Sequence, residues 1–205
     1  PGAPHAAANA ADPATFLPRL LAGAGYETWH MGKSGNEFKP GIQAFDTNLI
    51  DDGKGAGPEE GRAGSSRRHA DRAVAFLKGR DAAKPFYMYI APPVPHDPRV
   101  AEPEFHALYD PAKIPLPAAF LPLHPWDNGD MTVRDEKLAP WPRTPEDTKR
   151  QLAEYYACVS GLDHHLGRIL QALQETGQAS NTLVVFTGDN GLSLGEHGLF
   201  GKQNL

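Results

Sequence analysis

Residues 144–191 read TPEDTKRQLAEYYACVSGLDHHLGRILQALQETGQASNTLVVFTGDNG. Leu152, Tyr155, Tyr156, Val159, Leu162, Leu166, Ile169, Leu170 and Leu173 recur at the spacing of a helix face. Thr144 is placed to cap the helix, Pro145 suits its first position because the missing amide has no partner there anyway, and Gly177 ends it. A short apolar run follows, Thr182 to Thr187, and empties into Gly188-Asp189-Asn190-Gly191. A helix feeding a buried strand that stops at a polar turn is the repeating unit of an α/β sheet.

Working outward, the same unit occurs twice more. Tyr26 to Met31 is an apolar run ending at Gly32-Lys33, after a short helix that Thr15 is placed to cap, with Pro18 in its first turn and Leu17, Leu20 and Leu21 facing the core. Phe86 to Ala91 follows a helix expected over Ser66 to Lys78, with Ala70, Ala73, Val74 and Leu77 on one face, and ends at Pro95-His96-Asp97-Pro98. Helix then strand, repeated, predicts an α/β fold with a largely parallel sheet flanked by helices. Ligands of such sheets bind beyond the carboxyl ends of the strands, so Lys33, His96 and Asp189 are expected on one edge. Residues 92–145 hold 13 of the 20 prolines and no sustained periodicity, and are read as a loop excursion that shapes a substrate site.

The 205 residues fit one domain, and 40% hydrophobic with 22% charged residues is a folded composition. A net charge of -5 and a pI near 6.0 give no basic field for nucleic acid. No apolar run is long enough to span a membrane. Cys158 is the only cysteine, which excludes an internal disulfide, and its place on the long helix marks it as a core residue. Pro1 and Leu205 read as truncation points. Oligomeric state is open.

Asp189 beside Asn190 offers two hard oxygen ligands suited to Ca2+ or Mg2+, though Asp-Asn-Gly is equally an ordinary turn. His96 can donate to an anion or assist a leaving group, or simply bond local backbone. Lys33 read alone is a solvated lysine. His164 and His165, adjacent on a helix, point to different faces and make a poor metal pair. His30 and His69 read as structural or exposed. Trp126 and Trp141 are placed to line a sugar or aryl pocket.

Three blocks resemble the sulfatase family of the alkaline phosphatase superfamily: AGYETWHMGK at residues 24–33, KPFYMYIAPPVPHDP at 84–98, and residues 155–202 with their YYA helix, GDNG turn and GEHG-to-lysine loop. They stand in the family's order and cover most of the chain. The resemblance implies an alkaline phosphatase-like fold, incomplete here, with residues 1–205 part of a single catalytic domain. Position by position it implies that Asp189 and Asn190 bind a divalent cation, usually calcium, and that Lys33, His96 and Lys202 surround the sulfate group as catalytic and substrate-binding residues. The Glu196-His197-Gly198 part of the loop is read as positioning rather than catalytic. The implied activity is metal-dependent hydrolysis of a small-molecule or saccharide sulfate ester. A periplasmic or secreted location fits the resemblance, with any signal peptide upstream of Pro1.

The sequence also departs from the family. Lys33-Ser34-Gly35-Asn36 has glycine where a GKxH histidine is usual, leaving that role to Asn36 or another residue. The Cys/Ser-x-Pro-x-Arg block that yields formylglycine is absent, as are the paired aspartates of the family's first strand, which Asp51-Asp52-Gly53 does not replace. This chain alone is therefore expected to be inactive. The rival readings are a phosphonate or phosphate ester hydrolase of the same superfamily and a non-catalytic anion-binding fragment. A zinc phosphodiesterase is less favoured, because zinc prefers histidine to the Asp-Asn pair.

Overall fold

The computed structural model of the chain describes residues 12–34, 39–55, 61–127, 129 and 131–202. The chain divides into two compact units, Pro1–Pro93 with His164–Asn181, and Val94–Asp163 with Thr182–Leu205.

The first unit carries a three-stranded sheet. Strand β1 (Glu27–Gly32) lies between β2 (Thr47–Ile50) and β3 (Phe86–Ala91) and runs parallel to both. Parallel neighbours need crossovers. Helix α1 (Leu17–Gly23) precedes β1, α2 (Lys39–Gln43) lies between β1 and β2, and α3 (Ser65–Gly79) lies between β2 and β3. Gly32 pairs with Ile50 on one side and Ala91 on the other, so all three strands release the chain at one edge. A Cβ on Gly32 would stand 2.6 Å from the Ala91 carbonyl oxygen, so only glycine lets the strands meet there.

Residues 28–32 are buried without alternation, the pattern of a strand covered on both faces. On one face Trp29 and Met31 pack against Ala70, Ala73 and Leu77 of α3 and against Ile169, Ala172 and Leu173. On the other, His30 stacks on Tyr89 and meets Phe45 at ring distances of 5.6 and 5.3 Å. Thr28 shares two hydrogen bonds with the Asp46 carboxylate and backbone amide at 2.9 Å each.

In the second unit, helix α4 (Pro103–His106) and the 3-10 turns Pro111–Lys113 and Arg134–Leu138 break up the proline-rich excursion. Ile114 packs on Leu152 and Ala153 of the long helix α5 (Pro145–Glu175). Tyr109 bonds Ser160 at 2.6 Å, and Gly161 leaves room for the Phe105 ring. Thr144 caps α5 as expected, its hydroxyl accepting from the Asp147 amide at 3.0 Å. Gly177, at φ 70°, lets the chain turn back so that the Gln178 amide reaches the Leu173 carbonyl at 2.9 Å. Cys158 is buried, as its helix position predicts.

Four local expectations need correction. Thr182 to Thr187 is not a strand: the described residues form no ladder over it, and Leu183, Val185 and Phe186 are 88%, 76% and 79% exposed. Strand propensity alone does not make a ladder. Thr15 does not cap α1; it lies in the 3-10 turn Pro13–Thr15, which Asp12 caps. Leu17 and Leu20 face solvent, because α1 turns Pro18 and the half-buried Leu21 inward instead. On α5 the buried stripe runs through Ala157, Cys158 and Gly161, while Tyr156, Val159 and Leu170 lie at its exposed margin. Strand β2 and helix α2 carry no clear sequence signal, being four and five residues long.

Candidate functional site

In the first unit β1 delivers Lys33 one residue beyond Gly32. The loop is fastened at once: the Ser34 amide donates to Asp52 Oδ1 at 3.0 Å. Asp51 continues the pairing of β2, its amide donating to the Gly32 carbonyl at 2.8 Å. Its carboxylate accepts from Arg68 Nε at 3.0 Å and Nη2 at 2.8 Å, and stands 3.6 Å from His69 Nδ1. Asp51 and Asp52 thus shape the turn that carries Lys33. Gly35 and Asn36, where the GKxH departure falls, lie outside the described residues.

The other candidate residues belong to the second unit. His96 is half-buried, and its Nδ1 lies 3.0 Å from Asp97 Oδ1 and 2.9 Å from the Asp97 carbonyl oxygen. With Nδ1 committed to Asp97, proton chemistry at this ring falls to Nε2. Arg134 Nε reaches Asp97 Oδ2 and Asp135 Oδ1, each at 2.8 Å. Burial opposes ionisation of Asp135, yet hydrogen bonds with Arg134 and Asp97 and the charges of Arg134 and His96 outweigh it and hold its carboxyl below its ordinary pKa.

Lys202 ends a glycine-dependent loop. Gly195 and Gly198 have φ of 109° and 79°, and His197 between them has φ 52°. A Cβ on Gly198 would stand 2.9 Å from the His124 backbone nitrogen. His197 works through its backbone: its amide donates to Ala119 and its carbonyl accepts from His124 Nδ1 at 2.9 Å. Both bonds fix the backbone of the GEHG turn. Further on, Glu136 Oε1 accepts from the amides of Phe200 and Gly201 at 3.2 and 3.0 Å. Arg143 Nη2 meets Glu136 Oε2 at 2.5 Å with both side chains fully buried. Arg99 Nη2 donates to the Phe200 carbonyl at 2.9 Å.

The 3-10 turn Arg134–Leu138 therefore touches both the His96 loop and the Lys202 loop. Sequence reading missed Arg134, Asp135, Glu136 and Arg143. The available signal was a charged RDEK run inside a proline-rich stretch, a pattern that ordinarily marks a solvated surface.

Asp189 and Asn190 are exposed, and Asn190 Nδ2 donates to the Gly191 carbonyl at 2.8 Å. Their donors fit a hard cation in kind, but such a cation takes roughly six to eight oxygen ligands, far more than two side chains supply. Among the described residues no group of three or more His, Cys, Asp or Glu is placed to hold a metal. Trp126 is exposed and meets His124 edge-on, whereas one face of Trp141 is taken by the Arg143 guanidinium at 3.7 Å.

The sulfatase family model matches residues 3–204. The multifunctional alkaline phosphatase superfamily protein PehA of Trinickia caryophylli is 34% identical over 155 residues, covering 64% of this chain and 28% of that protein. Iduronate 2-sulfatase of Mus musculus is 33% identical over 153 residues, covering 67% of this chain and 27% of that enzyme. The chain thus spans less than a third of these relatives. A solved structure of a protein with its substrate D-glucosamine-2-N,6-O-disulfate superposes with a TM-score of 0.68 at 22% identity, over 92% of this chain and 53% of that one. That likeness establishes the alkaline phosphatase type of α/β fold.

Proposed function

Because this chain belongs to the sulfatase family, we propose that its residues serve the hydrolysis of a sulfate ester, with a sulfated saccharide as the substrate class. The observation that carries this reading is the family match across residues 3–204, with Lys33, His96 and Lys202 all falling at polar turns within it. The saccharide class rests on the iduronate and glucosamine substrates named for the relatives.

Lys33 and Lys202 supply point charges for the nonbridging oxygens of the ester. Such charges favour the transition state, where negative charge on those oxygens grows. His96, oriented through Nδ1 by Asp97, offers Nε2 to a nonbridging oxygen or to the departing alcohol. Asp189 and Asn190 would contribute oxygen ligands to the divalent cation, calcium or magnesium, that the family implies. That cation and the family's formylglycine supply charge neutralisation and the attacking oxygen when present.

The test uses the full natural protein, assayed side by side on glucosamine 6-sulfate, an aryl sulfate and a phenylphosphonate ester. Sulfate release that leads in kcat/KM, and collapses in Lys202→Ala, is expected. Preference for the phosphonate would replace this reading with the superfamily's other ester chemistry, and absence of all three activities would leave an anion-binding role.

A further inference from the structure

We propose that Glu136, in the 3-10 turn Arg134–Leu138, is a positioning residue that sets the backbone carrying Lys202, and that this turn ties the Lys202 loop to the His96 loop. The proposal rests on the reading that Lys202 faces the anion. It concerns contacts inside one compact unit only.

A buried carboxylate persists only where partners replace its water. The partners of Glu136 are specific. Oε2 takes Arg143, and the two oxygens together accept from the amides of Phe200 and Gly201 at 3.0 to 3.2 Å. These are backbone donors, so the carboxylate fixes the main chain itself at the residue before Lys202. Arg143 grips the same loop from its other end, donating to the Gly198 carbonyl at 3.1 Å, with its guanidinium 4.7 Å from the centre of the Phe200 ring. An apolar pair could fill this volume, but it could not accept from two amides and donate to a carbonyl. Gly201 completes the fit: a Cβ there would stand 3.0 Å from Glu136 Oε1 and 3.1 Å from Asp135 Cβ.

The neighbouring residues of the turn reach the other loop. Arg134 bonds Asp97, whose other carboxylate oxygen lies 3.0 Å from His96 Nδ1. Arg134 and Glu136, two positions apart in one turn, thus set both a histidine and a lysine of the proposed anion site. The proline-rich excursion acts here as a buried brace.

The experiment is a set of double-mutant cycles in the full natural protein, with aryl sulfate as substrate. Glu136→Ala and Gly201→Ala are each measured with and without Lys202→Ala, and Glu136→Gln tests rescue by a neutral acceptor. Glu136→Ala and Gly201→Ala are expected to lower kcat/KM between about ten- and a hundredfold, the scale of a small misplacement of a charge-stabilising group. On a Lys202→Ala background the same changes should do less than about twofold, since their effect runs through that lysine. Glu136→Gln should recover part of the loss, and hydrogen exchange at the Phe200 and Gly201 amides should quicken in Glu136→Ala. Losses that add fully to that of Lys202→Ala, with unchanged exchange at those amides, overturn the proposal while leaving Lys202 in its role. Lys202→Ala without effect overturns the anion reading itself and this role of Glu136 with it. Should the Glu136 variants fail to fold, Gly201→Ala keeps the ion pair and carries the cycle alone.

Discussion

His30 on β1 and Asn48 on β2 are register partners, and His30 Nδ1 meets Asn48 Oδ1 at 2.7 Å inside the first unit. The ring is fully buried, and His69 is buried in the same unit with its Nδ1 on the Ser65 carbonyl at 2.7 Å. Burial pushes both imidazoles below 6.5, outweighing the bond to Asn48 for His30 and the pull of Ser65 and Asp51 for His69, where Arg68 adds to the lowering.

A stability profile follows from the direction of these shifts. The unfolded chain takes up protons at these histidines before the folded one, so their contribution is complete above 6.5 and is lost as pH falls below it. The melting temperature should drop between about pH 7 and about pH 5. His30→Asn, which keeps a donor toward Asn48 and does not titrate, should flatten that slope. An unchanged slope in the variant would remove His30 from the explanation.

Breaking the buried pair of the second unit should be far more damaging than altering a surface ion pair. Arg143→Met leaves the Glu136 carboxylate enclosed without its cation and should lower stability by about 3–5 kcal/mol. Adding Glu136→Gln to Arg143→Met should recover part of it. Urea unfolding of the three proteins decides the matter, and a loss no larger than that of Lys78→Ala, whose pair with Glu175 is half-exposed, would contradict the burial argument.

The exposed run Leu183 to Phe186 makes the opposite prediction. Val185→Asp in the 205-residue chain should change stability by less than about 0.5 kcal/mol, and amides 183–186 should exchange without protection. A loss of several kilocalories would mean that the run is packed as a strand after all.

In the full natural protein, Lys33→Ala and Lys202→Ala should each lower kcat/KM by roughly 10²-fold with little change in melting temperature, the signature of a group acting on the transition state. Asp189→Ala should lower bound divalent metal as well as activity. Full metal stoichiometry in that variant returns Asp189-Asn190 to an ordinary turn.

What the residues determine by themselves is whatever depends on neighbours along the chain. The helices Ser65–Gly79 and Pro145–Glu175, the Thr144 cap, the Phe86–Ala91 run and the parallel α/β class are all local patterns, and each is found where the sequence places it. Lys33, His96 and Lys202 were legible as candidates because their turns match a family's blocks. Tertiary structure alone decides the rest. Thr182 to Thr187 has the composition of a strand, but a strand exists only when another chain segment pairs with it along its length, and the described residues form no such ladder there. Glu136 reads as one charge in a hydrophilic run, and only the fold brings to it amides 64 and 65 positions away. A carboxylate's burial is set by the partners that surround it in space, and those partners have no fixed place in the sequence.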